Sequence, residues 1–303
     1  MTVLTAALLI AAALLILLFA AGLYLASYSM GIKRQTLEQA RAWQAEHYDI
    51  SWYDLLEKTD YTLTGEDGYV LHAQLLKNSR GGDRGVIISH GYTDNRYGSL
   101  KYARLYLDLG FHVLLYDLRG HGENEPTFCT YSVRESRDLL AVLKDARGRF
   151  PQIKAWGLHG ESLGAATTVA CLRYAPDVRF AVADCGFGEI SGVLENGMKS
   201  MGLPPALVRL ASLCAKIRYG YSFDEMRPID ALRDNRVPVL FIHGAEDDFI
   251  PPAHSERMRA ATRGYSELHL IPGAGHAASV LTAPDDYRAL LEAFLRKNGV
   301  LEE

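Results

Sequence analysis

The segment Gly160-Glu161-Ser162-Leu163-Gly164 joins an apolar run at 153–158, which predicts a strand, to a predicted helix at 163–174. A serine between two glycines, at a point where a strand passes into a helix, is typical of a nucleophile elbow. The turn is sharp, so the positions that flank the serine must be small. The spacing alone is a weak signal, because about one chain in ten of this size contains it by chance. The strand–turn–helix context makes the signal specific.

Short apolar runs alternate with helical stretches on both sides of this segment. Further strands are predicted at 86–89, 112–116, 180–183, 239–242 and 268–271. Further helices are predicted at about 96–109, 133–149, 253–262 and 284–297. Residues 61–64 and 69–76 flank a Gly-Glu-Asp-Gly turn and predict a hairpin. Strands that are apolar throughout are buried on both faces. The alternation therefore predicts an α/β fold, with a mostly parallel sheet and helices on both faces.

Composition limits the class of protein. The chain has 303 residues, of which 49% are hydrophobic and 22% charged, so it can form a sizeable core. Its net charge is −4, which gives no indication of nucleic-acid binding. The four scattered cysteines, Cys129, Cys171, Cys185 and Cys214, are predicted to be buried free thiols. We predict no metal site and no cofactor, since no H-E-x-x-H motif is present and no G-x-G-x-x-G follows the first parallel strand.

The N-terminal segment is strongly apolar. Residues 2–32 contain no charged residue, and the apolar run is long enough to span a bilayer. A cleaved signal peptide is the alternative, but no Lys or Arg precedes the run and the run is too long. We predict an uncleaved, single-pass transmembrane anchor at 1–32. Lys33, Arg34 and Arg41 follow it, so the positive-inside rule predicts that the remaining chain lies on the cytoplasmic side.

The chain is therefore predicted to consist of three parts. They are the anchor at 1–32, a juxtamembrane helical linker at 33–58 and an α/β domain at 59–303. Within the domain, residues 187–227 contain helical clusters but no clear strand. We predict that this insertion is a small helical lid, and an ordinary long crossover is the alternative. Deletion of residues 1–32 is expected to leave a soluble, active domain.

Three residues are predicted to act together. A serine hydroxyl is a weak nucleophile until a base takes its proton. His276 lies in a Gly-rich loop after the last predicted strand, so its side chain should point towards Ser162. Asp247 follows the preceding predicted strand and is the predicted carboxylate that orients the imidazole, with Glu246 and Asp248 as its nearest alternatives. The order nucleophile, acid, base is the one that this architecture requires.

Backbone groups are predicted to complete the site. Gly91 follows the strand at 86–89 and lets the main chain approach a ligand. The N–H groups of Tyr92 and Leu163 are predicted to form an oxyanion hole. Other polar residues near this edge of the sheet are predicted to be structural. They are His90, the loop at 117–123, and Asp184, which is an alternative acid but is better explained as a turn or cap residue.

Five motifs in this order resemble the α/β-hydrolase superfamily: His90-Gly91-Tyr92, Asp117-Leu118-Arg119-Gly120-His121-Gly122, the Ser162 elbow, His243-Gly244-Ala245-Glu246-Asp247, and His276. The chain is similar to the serine-hydrolase branch that holds monoacylglycerol lipases, carboxylesterases and serine aminopeptidases, above all to bacterial membrane-anchored members. The resemblance covers about residues 60–298. It implies a lid, a Ser162–Asp247–His276 triad and an oxyanion hole at Tyr92 and Leu163. Relatives that cleave halides or epoxides carry Asp at the elbow, so Ser162 argues against those activities.

The resemblance implies hydrolysis of a carboxylic ester through an acyl-enzyme, an activity of class EC 3.1.1. A lipid-like or medium-chain acyl ester near the membrane is the expected substrate. A peptidase or amidase of the serine aminopeptidase type is the first alternative. It would favour acidic residues in the lid, where Glu189, Glu195 and Asp224 are available. The second alternative is a non-catalytic receptor or scaffold, although such proteins usually lose a triad residue.

The apolar residues of the insertion bear on the substrate. Leu207, Leu210 and Leu213 recur at near-helical spacing, and Leu194, Met198, Met201 and Leu203 precede them. The stripe is predicted either to pack on the core or to line an acyl pocket, since ligand pockets are mostly apolar.

Overall fold

The central feature of the computed structural model, which describes residues 2–302, is a sheet of eight strands. The strands are β1 (Lys58–Thr64), β2 (Val70–Leu76), β3 (Arg84–Ser89), β4 (His112–Tyr116), β5 (Ala155–Glu161), β6 (Ala181–Asp184), β7 (Val239–Gly244) and β8 (Ser266–Ile271). Their spatial order is β1-β2-β4-β3-β5-β6-β7-β8. β2 is antiparallel to both β1 and β4, and all other neighbouring strands are parallel. The predicted hairpin and the mostly parallel sheet are confirmed.

Helices cover both faces of the sheet. They are α1 (Val3–Met30), α2 (Leu37–His47), α3 (Ser51–Leu55), α4 (Leu100–Asp108), α5 (Val133–Arg149), α6 (Leu163–Cys171), α7 (Ile190–Ser200), α8 (Ala206–Tyr219), α9 (Ala253–Ala261), α10 (Ser279–Thr282) and α11 (Pro284–Lys297). Successive residues of β3 point to opposite faces, so Val86 and Ile88 pack with α4 and α11, whereas Ile87 packs with α5 and α6. All three are fully buried.

The predicted elements are present, and local polar contacts move some of their ends. The strand predicted from residue 153 begins at Ala155, because the Ile153 N–H closes a turn by donating to the Phe150 carbonyl at 3.0 Å. The helix predicted from residue 96 begins at Leu100. A 3₁₀ turn precedes it, and the Asn95 side chain caps that turn.

The long helix α1 has an exposed part and a packed part. It is long and apolar enough to cross a membrane, with a mean hydropathy of 2.9 in its most apolar window. Residues 3–21 are almost entirely exposed, whereas Ala26 and Met30 have no exposed surface and belong to the main hydrophobic core. Gly22 lies against α8, where a Cβ atom would be only 2.6 Å from the sulfur of Cys214 and 2.8 Å from Leu210 Cγ.

This packing differs from the expectation that residues 1–32 can be removed without effect. The end of α1 is part of the domain core, so its deletion would expose the apolar surface that Ala26 and Met30 cover.

The predicted linker at 33–58 is hydrogen-bonded to the α/β domain. The Gln35 N–H donates to the Thr93 carbonyl at 3.1 Å, and α2 begins with a capping box between Thr36 and Gln39.

The predicted helical insertion consists mainly of α7 and α8. α8 lies along α1, and α7 lies near the C-terminal edge of the sheet. Within the leucine stripe, Leu210 contacts the α1 region around Gly22 and Leu213 is largely exposed. Leu210 thus packs on α1, Leu213 faces outward, and no leucine of the stripe lines the cavity beside Ser162.

Candidate active site

The turn that carries Ser162 is strained and tightly packed. Ser162 has a φ of 53°, a left-handed value that is rare for a non-glycine residue. A Cβ atom on Gly160 would lie 2.1 Å from the Gly164 carbonyl oxygen, and one on Gly164 would lie 2.0 Å from the Ser89 carbonyl oxygen. Both flanking positions must therefore be glycine. The Ser162 N–H donates to the Asp184 carbonyl at 2.8 Å and holds the turn in place.

The three residues predicted to act together are brought into one hydrogen-bonded chain. Ser162 follows β5, Asp247 follows β7 and His276 follows β8, so all three lie at the C-terminal edge of the sheet. His276 Nε2 is 3.0 Å from Ser162 Oγ, and His276 Nδ1 is 2.7 Å from Asp247 Oδ2. With the Nδ1 proton donated to the carboxylate, Nε2 is free to accept the hydroxyl proton.

Asp247 is held as a carboxylate by its neighbours. The backbone N–H groups of Phe249 and Ile250 donate to Oδ1 at 3.1 and 2.8 Å, and His243 Nε2 lies 3.2 Å from Oδ2. Burial opposes the charge, but the hydrogen bonds with His243 and His276 hold the pKa of Asp247 well below its ordinary value. The role of His243 is not apparent from the sequence, because its contact with Asp247 depends on the turn after β7.

Asp184 lies in a separate buried cluster. Its carboxylate accepts hydrogen bonds from the Tyr102 hydroxyl at 2.9 Å and from the Ser279 hydroxyl at 3.3 Å. An ion pair between Lys101 and Glu161 adjoins it. Burial raises the pKa of Asp184 to about 6. The carboxylate that contacts the imidazole is thus that of Asp247.

The predicted oxyanion hole consists of two backbone N–H groups, those of Tyr92 and Leu163. Both residues line the same cavity as Ser162. Among residues 2–302, neither N–H group has a hydrogen-bond acceptor within the protein. A Cβ atom on Gly91 would lie 3.7 Å from the Ser162 Cβ, so the main chain passes close to the hydroxyl group. Two free N–H donors near a serine can stabilise a developing oxyanion.

The neighbouring polar loops have structural contacts, as predicted. His90 Nε2 accepts a hydrogen bond from the Leu118 N–H at 2.9 Å, and burial lowers the pKa of His90 to about 4. Arg119 forms a buried, bidentate ion pair with Asp138 at 2.7 and 2.8 Å. These contacts brace the loop at 117–123 beside the site.

A cavity of about 240 Å³ opens beside Ser162. Apolar and aromatic side chains line most of it, and none of the lining residues is acidic. The lining residues are Tyr28, Ser29, Tyr92, Tyr131, Ser162, Leu163, Phe187, Ile190, Val193, Leu194, Gly197, Met198, Met201, Phe249 and Ile250. The acyl-pocket prediction for the insertion thus fits α7, which supplies Leu194 and Met198, and not the stripe on α8.

Two lining residues, Tyr28 and Ser29, come from α1 and were not predicted. The apolar pattern of their segment predicts a membrane anchor alone. Nothing in its local pattern indicates that the helix end lines the same cavity as Ser162, because the hydrogen bonds that fix it, from Tyr92 and Tyr131, join residues far apart in the chain.

One group of side chains has the ligand types of a metal site. Atoms of Cys185, Asp247 and His276 lie within 4.8 Å of one another. However, Asp247 and His276 are already hydrogen-bonded to each other, and burial raises the pKa of the Cys185 thiol well above its ordinary value. The protonated thiol is a poor metal ligand, because metals bind the thiolate. All four cysteines are buried free thiols, as predicted.

Comparison with known proteins supports the architecture. A family model described as "Alpha/beta hydrolase family" matches residues 86–290. The Bacillus subtilis protein YqkD is 31% identical over 289 residues, which cover 93% of this chain and 94% of that protein. A Saccharomyces cerevisiae protein described as a membrane protein is 22% identical over 246 residues, which cover 79% of this chain and 80% of that protein.

A solved structure shares the fold. An esterase of Pyrococcus furiosus superposes with a TM-score of 0.67 at 24% identity, covering 82% of this chain and 96% of that one. At this identity the likeness concerns the fold.

Proposed function

Since the chain belongs to the alpha/beta hydrolase family, we propose that it hydrolyses carboxylic esters through an acyl-enzyme intermediate on Ser162. The observation that carries the proposal is the hydrogen-bonded chain from Ser162 through His276 to the buried carboxylate of Asp247. This is the arrangement in which a histidine can activate a serine and then protonate a leaving group.

The proposed reaction has two halves. His276 Nε2 takes the hydroxyl proton as Ser162 Oγ attacks the ester carbonyl, and the N–H groups of Tyr92 and Leu163 hold the resulting oxyanion. The imidazolium, stabilised by Asp247, gives its proton to the alcohol oxygen as the C–O bond breaks. Water then repeats the sequence on the acyl-enzyme, with His276 as base, and releases the carboxylic acid.

The cavity favours an ester with an apolar acyl group. Its volume of about 240 Å³ lies below the usual range for ligand pockets, about 300–1,000 Å³, so one short or medium acyl chain fits better than two long ones. The peptidase alternative requires an acidic group for a free amine. Glu189 is instead paired with Arg257 at 2.6 Å, and neither Glu195 nor Asp224 lines the cavity.

A small organophosphate and a panel of p-nitrophenyl esters test the proposal. Diisopropyl fluorophosphate is expected to form one adduct, on Ser162. The kcat/KM value should rise from acetyl to medium-chain esters by about fourfold for each buried methylene, which corresponds to about 0.8 kcal/mol. Faster cleavage of matched acyl anilides would favour an amidase. Failure of the folded protein to react with the probe would favour a scaffold.

We further propose that α1 is an uncleaved anchor and that the domain lies on the cytoplasmic side. The buried positions of Ala26 and Met30 support retention, because signal-peptide cleavage between them would remove part of the core. The yeast relative described as a membrane protein is consistent with an anchor. The positive charges of Lys33, Arg34 and Arg41 support the orientation.

Protease protection checks this topology. Protease added to intact spheroplasts is expected to spare the domain, whereas the same protease should digest it after the membrane is permeabilised. A periplasmic domain of a known protein, digested under both conditions, is the control. Digestion in intact spheroplasts would establish the opposite orientation. Separately, a mature N-terminus between residues 26 and 30 would show that α1 is a cleaved signal peptide.

A further inference from the structure

The cavity beside Ser162 lies between the last turn of α1 and helix α7. Ser29 is buried in its wall, whereas Tyr28, Met201 and Phe249 line it and are each more than half exposed. These three residues therefore form its mouth. The mouth is thus bordered by the anchor helix on one side and by the end of α7 on another.

The end of α1 is fixed to the residues that surround the reacting atoms. The Tyr131 hydroxyl donates a hydrogen bond to the Ser29 carbonyl, and the Tyr92 hydroxyl donates one to the Gly31 carbonyl. Both tyrosines line the cavity, and Tyr92 also supplies an N–H group of the proposed oxyanion hole. The end of α1 therefore forms part of the cavity wall and is held there by hydrogen bonds.

The length of α1 sets the distance of the cavity from a bilayer. Its exposed stretch, residues 3–21, is about 28 Å long at about 1.5 Å per residue. This nearly matches the hydrocarbon thickness of a bilayer, about 30 Å. The packed part, from Gly22 onward, then begins at the membrane surface. Ser29 lies seven residues further, which places the cavity wall about 10 Å from that surface.

Helix α8 has the surface expected at the same depth. It contacts α1 at Gly22, where the exposed stretch 3–21 ends. Leu213 and Ile217, one turn apart, are 59% and 61% exposed. Arg209 and Arg218 are exposed on the same helix, and neither forms an ion pair within residues 2–302. Exposed apolar residues beside unpaired cations suit the interface of an anionic leaflet.

We propose that the substrate is a single-chain acyl ester dissolved in the leaflet that α8 contacts, and that its acyl chain enters between α1 and α7. The last turn of the anchor helix is then a specificity-determining part of the substrate site. This inference rests on the proposed ester hydrolysis at Ser162. The experiments below distinguish a failure of the inference from a failure of that proposed activity.

A larger side chain at Ser29 of α1 tests whether this helix helps to determine the acyl-chain specificity. Ser29→Leu, in the full-length protein in detergent, is expected to lower the ratio of kcat/KM for p-nitrophenyl octanoate over acetate by about tenfold or more. This corresponds to the loss of two or more methylenes at about fourfold each. Tyr24→Ala, at an exposed position of the same helix outside the cavity, is the matched control and should leave the ratio unchanged.

Labelling by diisopropyl fluorophosphate separates the possible failures. An unlabelled wild-type protein would overturn the proposed function itself. A labelled Ser29→Leu variant with an unchanged ratio would overturn the role of α1. If Ser29→Leu does not fold, the smaller change Ser29→Val should lower the octanoate-to-acetate ratio of kcat/KM in the same direction by a smaller factor.

Proteoliposomes test the route from the leaflet. The full-length protein is placed in vesicles of phosphatidylcholine and phosphatidylglycerol that carry a bilayer-confined fluorogenic octanoyl ester. Leu213→Glu is expected to lower turnover of this ester by about tenfold, because a carboxylate on α8 is repelled by the interface, and to leave soluble p-nitrophenyl butyrate unaffected. Leu55→Glu, at an exposed leucine on α3, is the matched control. Equal loss on both substrates, or no loss on either, would overturn entry from the leaflet.

Discussion

Replacement of Ser162 by alanine is expected to lower kcat/KM for p-nitrophenyl esters by about 10⁴–10⁶-fold, with no loss of thermal stability. The hydroxyl oxygen is the atom that would form the acyl bond, so its removal ends covalent catalysis. The fold should persist, because the hydrogen bond that fixes the turn is made by the Ser162 backbone N–H to the Asp184 carbonyl. Ester assays, together with thermal melts of both proteins, measure the two quantities.

A matched serine provides the control for this experiment. Ser279 is fully buried and its hydroxyl contacts Asp184 instead of His276, so Ser279→Ala should keep most of the activity. Retention of more than a tenth of the wild-type activity in Ser162→Ala would show that another residue carries the acyl group. Mass spectrometry of the diisopropyl fluorophosphate adduct would then locate that residue.

Substitution of Asp247 by asparagine is the second large expected effect, a loss of about 10⁴-fold in kcat. An asparagine side chain presents an NH₂ group to His276 Nδ1 and so favours the tautomer with its proton on Nε2. That nitrogen can then no longer accept the proton of Ser162. Esterase assays across pH measure the loss.

The low pKa of Asp247 means that its charge stabilises the fold above about pH 4 and that this contribution is lost only in strong acid.

Asp184→Asn is the control that distinguishes the two acids. Asp184 contacts Tyr102 and Ser279, so its substitution should cost some stability but only a small part of the activity. If Asp184→Asn were the crippling change and Asp247→Asn a mild one, the orienting acid would be misassigned.

The sheet and the candidate site were predictable because their signals are local. The apolar run before Ser162 predicts a strand, and parallel strands bring their C-terminal ends to one edge. Asp247 and His276 follow later strands, so they were expected at that same edge, where the structure has them. The structural role of His90 was also predictable from its position after a strand. Asp184 is not the turn or cap residue that was predicted, because it ends β6 and its carboxylate accepts hydrogen bonds from Tyr102 and Ser279 in a buried cluster.

The packing of α1 was not predictable in this way. A lipid bilayer and a protein core both accept Gly22, Ala26 and Met30, so the apolar pattern is the same for either environment. The packing of α1 on α8 joins distant parts of the chain. The Cys214 sulfur, for example, approaches the carbonyl oxygen of Phe19, which lies 195 residues earlier in the sequence. For the same reason, periodicity could not tell that α7 lines the cavity and α8 packs on α1.

The burial of the α1 end links the proposed membrane anchor to the integrity of the cavity beside Ser162. If α1 is the proposed anchor, a proteolytic cut between Gly22 and Ile32 would remove a wall of the cavity together with the membrane-spanning stretch, so release from the membrane and loss of the proposed activity would be one event. A cut within the exposed residues 3–21 would instead release a fragment that keeps every residue lining the cavity. On the proposed topology, the position of the cut thus determines whether the domain released on the cytoplasmic side has a complete cavity.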